Sequence, residues 1–501
     1  IHKALNARVE LRQFFAHPTI EELAQFVAAS QPAQYVEIPP APPRDLYEVS
    51  NAQRRLWVLN QLEDDLKAYN MCGAYVLEGT LNVPAFTRAF AALVARNESL
   101  RTTFEQVDGE PVQRIHAAED FPFAVEYTDL RNHADRITTA RDIANREAAK
   151  IFDLARGPLL SARLLRLEDN QHLFVLTMHH IISDGWSMAI LVDQVLTCYQ
   201  AFRRGEENPL PPLRIQYKDY AVWQRQQLSG AQLETHQNYW WQQLGGEIPV
   251  LALPTDFPRP PVKTYSGDRM TSVLAPVAVQ DALRLGQQQS ASLFMVLLAT
   301  VNALLYRYTF QQDIIVGSPL AGRERQELEE QIGFYVNTLA LRTDVDPATA
   351  FESLLDAVRS GDLEAFTHAD IPFERVVDEV GIARSSARHP AFQTVLSFQN
   401  LEQARMELPG LTVETIGTGE LAAKFDLQTS PFPVFPGKPG FGARRIVDDA
   451  DVAARRHLGA VGRRRPSVGS GRSASQPCAA CTTASWSRAP AAATTTRSTP
   501  Y

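Results

Sequence analysis

Gln171 to Met178 is a run of mostly apolar residues, and Met178-His-His-Ile-Ile-Ser-Asp-Gly-Trp186 brings it to a stop. Its length and apolar content predict a buried strand. Two histidines, an acid and a glycine then follow in what reads as a tight turn. A histidine at a strand end projects from a rigid element into a cleft. Its pKa near neutrality suits it to accept or hold a proton from an amine. Asp184 can fix the loop by pairing with a cation, and Gly185 permits an unusual backbone angle. Read alone, the cluster fits a structural turn as well as a catalytic one. A metal site is the weaker reading, because adjacent strand histidines point to opposite faces and no third ligand is evident.

Working outward, Leu159–Leu167 is a second β-rich run, and Glu168-Asp-Asn170 joins it to the first as a hairpin. Val83–Arg96 spaces Phe86, Phe90 and Leu93 for one helical face, and Asp193–Arg204 reads as another helix. Leu253–Pro261 is a proline-rich connector. Beyond it come a buried helix, Ser292–Tyr308, and strands at Asp313–Gly317 and Thr394–Phe398. The expectation is an α/β protein of two lobes, residues 46–253 and 267–427, joined by a connector at 254–266. Upstream, Thr19–Val27 is a short amphipathic helix with Thr19 as N-cap and Ile20, Leu23 and Val27 on one stripe. Residues 1–30 are too few to bury a core and read as the end of another domain. Residues 31–45, rich in Pro and Ala, read as a linker.

The 501 residues are 45% hydrophobic and 21% charged, ordinary for a globular protein, with a net charge of −8 that gives no support to nucleic-acid binding. No apolar run is long enough to span a bilayer, and the first residues do not form a signal peptide. Four cysteines (Cys72, Cys198, Cys478 and Cys481) in so long a chain predict a reducing, cytoplasmic setting.

His179–Gly185 matches the HHxxxDG signature of the condensation domains of nonribosomal peptide synthetases, and six further blocks resemble that family in its order. They are Ser50-Asn-Ala-Gln-Arg-Arg-Leu-Trp57, Arg96–Phe104 (with Asn97 where His is usual), Tyr217–Trp223, Ile332–Thr338, His368–Glu374 and Arg384–Pro390. The resemblance covers about Leu46 to Leu427. It implies a chloramphenicol-acetyltransferase-like pseudodimer, an α/β sandwich whose two lobes form a V around a central tunnel. It implies amide bond formation between donor and acceptor groups on carrier-borne 4'-phosphopantetheine arms, with no cofactor and no metal bound by the domain itself. His180 is then the catalytic residue, with His179 and Gly185 shaping its loop. Asp184 is a structural partner for an arginine, and Arg323 is the candidate. Arg101 and Arg388 are further structural ion-pair candidates. Ser183, Trp186 and Asn337 are candidates to line the tunnel, although Trp186 is more readily read as a core or interface residue, and a turn-holding role serves Asn337 equally. His368 and His389 read as loop residues. Whether His180 is base, positioner or stabiliser stays open. The first block and Ser183–Ser187 resemble the subclass that joins an L donor to an L acceptor. Val9–Ile20 resembles the end of a peptidyl carrier domain. The implied partners are upstream donor and downstream acceptor carriers and an adjacent adenylation domain, with neither nucleic acid nor membrane. An epimerisation domain of the same fold, a coenzyme A-dependent acyltransferase and a non-catalytic carrier-docking module are the alternatives.

The end of the chain departs from the family. From Gln428 to Tyr501 there are eleven Lys and Arg against three Asp, and after Leu458 there is no Leu, Ile or Phe. Such a segment cannot bury a core. Cys478-Ala-Ala-Cys481 has no second pair to make a metal or redox site. The expectation is an incomplete second lobe and a residue 428–501 tail read out of frame.

Overall fold

The computed structural model describes residues 1–62, 67–398, 410–416, 421–433 and 441–448. The first half contributes β1 (Leu46–Glu48), β2 (Asn70–Gly79), β3 (Thr102–Val107), β4 (Glu110–Ile115), β5 (Val125–Asp129), β6 (Leu160–Glu168) and β7 (Gln171–His179). The second contributes β8 (Ser266–Val273), β9 (Asp313–Leu320), β10 (Asn337–Asp344), β11 (Thr394–Leu396), β12 (Leu411–Ile416), β13 (Leu421–Ala422), β14 (Leu427–Pro433) and β15 (Phe441–Asp448). They form a five-stranded sheet in the order β12-β2-β7-β6-β5, a seven-stranded sheet in the order β10-β9-β11-β14-β15-β8-β13, and a small sheet β1-β4-β3.

Each large sheet carries helices because its strands are apolar on the covered face. On the five-stranded sheet, helix Val83–Arg96 brings Phe86 and Phe90 against Phe174 of β7, and helix Gly185–Arg203 brings Tyr199 against Phe86. On the seven-stranded sheet, helices Leu293–Thr309 and Phe351–Thr367 bury Leu298, Ala299, Leu355 and Val358. Each fully buried Phe or Leu stabilises the fold by roughly 1.5–3 kcal/mol. No single helix among the described residues is long and apolar enough to cross a membrane.

The hairpin of β6 and β7 and the helix at 83–96 lie where the sequence puts them. Several other expectations need correction. The helix expected at Asp193 begins at Gly185, because the Asp184 side chain accepts the Ser187 N–H and caps it. The division into two lobes is not a division of the chain: β12, from the second half, pairs antiparallel along β2 from Leu411↔Gly79 to Ile416↔Ala74. It covers an edge that would otherwise present unpaired backbone groups. Ile332 and Phe334 likewise enter the first lobe's core. The expected boundary at Leu427 is crossed by β14, parallel to β11, and by β15, which lies between β14 and β8. Residues 449–501, with Cys478 and Cys481, lie outside the described residues.

The segment 31–45 is not a free linker. Tyr35 donates to Glu327, and Ile38 N donates to the same carboxylate (3.2 Å). Arg325 donates to Val36 O (2.7 Å), Ala41 N donates to Asp219 (2.7 Å) and Arg214 donates to Ile38 O (3.1 Å). It is a strap touching both lobes. Upstream, the helix Ile20–Ala29 is capped by Thr19 as expected, but Ile20 is 91% exposed, so the apolar stripe is not buried.

Candidate active site at the end of β7

His179 is the last residue of β7, and His180 opens a single 3₁₀ turn that leads through Ser183 into the long helix at Gly185. His179 is buried at 2% exposure, and its Nδ1 accepts the Ile181 N–H (3.1 Å). Its Nε2 has no partner, and burial, with Lys424 adding to it, lowers its pKa to about 4. His179 is therefore a neutral ring that shapes the turn.

His180 is half-buried. Its Nδ1 lies 2.9 Å from Ser183 O, a carbonyl that can only accept. The proton therefore sits on Nδ1, and the Nε2 lone pair is held outward. The edge of the ring meets Phe334, centroids 5.0 Å apart. Burial first, and then the charge of Lys424, lowers the imidazole pKa to about 3.

The acid of the motif faces away from this reaction centre. Asp184 and Arg323 form an ion pair at 3.2 Å with side chains 0% and 1% exposed. Asp184 also accepts from Ser187 N (2.8 Å), Ser187 Oγ (2.7 Å) and the backbone N of Tyr335 (3.0 Å). Arg323 reaches Ser187 Oγ (2.8 Å) and the carbonyls of Leu328 and Gln331, with its guanidinium 4.1 Å from the Tyr335 ring centroid. This network ties the histidine turn to the second lobe.

The other sequence blocks converge here. Gln53 donates to Ile181 O (3.3 Å), and Ser50 Oγ lies 2.8 Å from the Tyr217 hydroxyl, which donates to Phe334 O (2.5 Å). Gly333 is required by that approach, since a Cβ there would stand 2.0 Å from Tyr217 Cδ2. Arg55 of the first block meets Glu374 of a later one at 2.7 Å.

Some candidates land elsewhere. Gly185 has no unusual backbone angle: it is absent from the positive-φ residues and opens the helix, where a Cβ would meet nothing. Ser183 is fully buried, its hydroxyl without a partner, and Trp186 donates to Glu329 O (3.1 Å). Neither lines the cavity of about 350 Å³ bounded by the helix Tyr217–Gln227, second-lobe segments around 320–337 and 369–374, and residues of the N-terminal segment, whereas Asn337 does; His179 and His180 do not line it either. Asn337 is nonetheless spent on backbone: it donates to Ala369 O (2.7 Å) and Ile371 O (2.9 Å) and accepts from Thr338 N and Phe373 N. Arg101 pairs loosely with Glu98 at 3.8 Å and donates to His116 O. Arg388 is exposed and makes no ion pair among the described residues. His389 is enclosed by Phe373, Phe392 and Phe425, and His368 stacks on Tyr239 at 4.2 Å. Asn97 donates to Leu93 O and Gln194, a helix-end role. Among the described residues no group of three potential ligands could hold a metal.

The sequence alone assigns no role to Ser187 or Lys424. The three-residue spacing Asp184 to Ser187 is a helix N-cap signal that points to the former. Nothing local marks Lys424.

The Condensation domain family model matches residues 43–434. The chain belongs to the condensation-domain family. It is 42% identical over 428 residues to one of the plipastatin synthase proteins of Bacillus subtilis (strain 168), covering 85% of this chain and 12% of that protein. It is 41% identical over 428 residues to tyrocidine synthase 3 of Brevibacillus parabrevis, covering 85% of this chain and 6% of that one. The condensation domain thus spans a small part of the curated relatives it matches. Its fold is shared with the X-domain from teicoplanin biosynthesis (TM-score 0.74, 24% identity, 84% of this chain and 95% of that one). The first condensation domain of the calcium-dependent antibiotic synthetase has it too (TM-score 0.66, 21% identity, 82% and 95%). A condensation domain is the enzyme unit that forms the amide bond in nonribosomal peptide synthesis.

Proposed function

We propose that this condensation domain joins an acyl or peptidyl group, held as a thioester by an upstream donor carrier, to the amine of an aminoacyl group on a downstream acceptor carrier. Both substrates arrive on 4'-phosphopantetheine arms that belong to the carriers, and an adenylation domain adjoins in the same synthetase. The wording of Ser50–Trp57 and Ser183–Ser187 supports an L donor and an L acceptor. Residues 1–30 are the C-terminal end of a carrier domain, and the strap at 31–45 holds the point where that carrier ends against both lobes.

The observation that carries this reading is the fixed, unprotonated Nε2 of His180 at the end of a rigid strand. A general base works best with a pKa near the working pH. An imidazole held at about 3 stays neutral at pH 7 and takes no lasting proton. It acts by accepting the N–H of the attacking amine, which aligns the nitrogen lone pair with the thioester carbon. Alignment of this kind is worth up to roughly 7–11 kcal/mol. The same low proton affinity disfavours an epimerase, which must remove a carbon-bound proton. Asp184 serves the geometry from behind. Its network holds Ser187 and the first turn of the helix, and so the carbonyl of Ser183 that sets the His180 tautomer.

The test is single-turnover amide formation between loaded carriers. His180→Ala should keep its fold and lose at least about a hundredfold in rate, within the span of proton-handling and positioning groups. Wild-type turnover by that variant refutes the assignment. A D donor accepted as readily as an L donor refutes the subclass, and ATP-dependent activation of an amino acid by this chain alone refutes the reliance on carriers.

A further inference from the structure

Lys424 lies on the segment between β13 and β14 of the second lobe, yet its side chain reaches Tyr69 of the first lobe, next to the strand pair that ends at His179. Its ammonium stands 4.5 Å from the centroid of the Tyr69 ring. Tyr69 immediately precedes Asn70, and Asn70 is the residue paired with His179 on the last rung between β2 and β7. The cation is thus lodged beside the rung that leads into His180, and it is the side-chain charge acting on both His179 and His180.

The backbone around it is fixed. Ala423 N donates to Tyr265 O (2.8 Å), Lys263 donates to Lys424 O, and Asp426 pairs with Arg259 through a 3.0 Å hydrogen bond. The Lys424 ammonium itself has neither a carboxylate nor a hydrogen-bond acceptor among the described residues. The charged groups that act on it, Arg55 and Lys263, are also cations, and the neighbouring acids are engaged elsewhere, Glu374 with Arg55 and Asp426 with Arg259. A cation out of bulk water without a counter-charge is unfavourable. Among the described residues only the face of the Tyr69 ring offsets that cost, and a cation–π contact is weak beside a full counter-charge. During the reaction a full counter-charge arises, because attack on a thioester creates a negative oxygen next to His180.

We propose that the Lys424 ammonium stabilises the oxyanion of the tetrahedral adduct, so that the second lobe supplies the anion-holding group and the first lobe the amine-holding one. This rests on the reading of His180 as the amine-holding residue. In the step, the amine nitrogen forms the C–N bond and the carbonyl π pair moves onto oxygen, where Lys424 meets it. The pair then returns, the C–S bond breaks, and the proton lost by nitrogen ends on the departing thiolate. Preorganised donors of this type are worth about 10²- to 10³-fold in rate.

Burial, reinforced by Arg55 and Lys263, lowers the Lys424 pKa to about 8. The ammonium is therefore lost as pH rises through that value, and the rate should fall with it. The experiment measures single-turnover amide formation on loaded carriers from pH 6 to 10 for the wild type, Lys424→Met, Lys424→Arg and His180→Ala, with thermal unfolding of each. Lys424→Met should lose about a hundredfold at pH 7 with carrier KM little changed. Lys424→Arg should recover part of the rate, and the alkaline fall should disappear because guanidinium does not deprotonate there. A Lys424→Met rate within threefold of wild type overturns the proposal. So does an alkaline fall that persists in Lys424→Arg, and that profile alone decides if Lys424→Met does not fold. An inactive wild type, or a fully active His180→Ala, fails the reading beneath it. Loss in His180→Ala with full activity in Lys424→Met fails this inference alone.

Discussion

Replacing Asp184 with Ala tests whether the motif acid is structural. The side chain is fully buried and holds four donors: Ser187 N, Ser187 Oγ, Tyr335 N and the Arg323 guanidinium. The lost N-cap contributes about 1 kcal/mol and the stranded Tyr335 N–H about 1–3. Breaking a buried pair by removing one member typically costs about 3–5 kcal/mol. These overlap, and Arg323 keeps Ser187 Oγ, two carbonyls and the Tyr335 ring, so the expected loss is about 4 kcal/mol. Against a usual total of roughly 5–15 kcal/mol, that predicts poor soluble yield and a large drop in urea midpoint. Asp184→Asn keeps the cap and an acceptor for Tyr335 and should lose only about 2 kcal/mol. The double variant Asp184→Leu with Arg323→Met removes both charges and should recover much of the Ala variant's loss. The assay is urea unfolding of the four proteins, read alongside amide formation per folded molecule. An Asp184→Ala protein with an unchanged midpoint and no activity refutes the structural assignment and moves the carboxylate into the chemistry.

Asn337→Ala leaves two carbonyls and two N–H groups without their partner, so it should lower stability by about 2–3 kcal/mol while activity per folded molecule stays near wild type; a selective loss of activity would instead place it against substrate. Stability should also fall in mild acid. His179 has a folded pKa of about 4 against about 6.5 unfolded, so its contribution is complete above pH 6.5 and is lost as the unfolded chain takes up the proton between 6.5 and 4, on the order of 3 kcal/mol. His179→Gln should show a smaller fall in urea midpoint between pH 6.5 and 5, and an equal fall would assign the acid sensitivity to other groups.

The strand ending at the histidines is legible in the sequence because a long apolar run stops abruptly at polar residues, a local pattern. The family blocks are legible for the same reason. What they do together is not. Ser50, Tyr217 and Phe334 share one hydrogen-bonded chain although 167 residues separate the first two, and no periodicity reports such a distance. The helix start escapes a reading by composition because its signal lies in a side chain, Asp184, that suggests a turn. β12 escapes assignment to the first sheet because strand partners across half a chain are set by which edge is left open. Lys424 escapes notice because a lone lysine reads as a surface residue until the described residues around it prove to be other cations and acids paired elsewhere.

The end of the chain follows the same logic to a different result. The resemblance is expected to stop near Leu427, but the family match runs to 434, and β14 holds register with β11 from Thr394↔Leu427 to Leu396↔Thr429. The change of composition therefore belongs after residue 434. Past it, Phe441-Gly-Ala-Arg-Arg-Ile-Val-Asp448 shows neither the alternation of a strand covered on one face nor the unbroken apolar run of strands buried on both, such as β9 and β11. Yet β15 occupies a central place in the seven-stranded sheet, between β14 and β8. A central place filled by a sequence with no strand pattern, followed by Arg, Ala, Ser, Thr and Pro without Leu, Ile or Phe after 458, is what a shifted reading of a GC-rich gene produces. A basic tail of the ordinary kind follows a finished sheet instead of supplying one of its inner strands. The expected outcome is that the coding DNA, resequenced across codons 428–441 and translated in the other two frames, yields an aliphatic, alternating strand directly after residue 434. A protein carrying that strand should exceed the present chain in soluble yield and urea midpoint, because a strand of aliphatic residues at a central place in a sheet buries apolar surface. If neither frame contains such a strand, and the present chain unfolds cooperatively with a midpoint typical of condensation domains, the tail is native and the argument from composition fails.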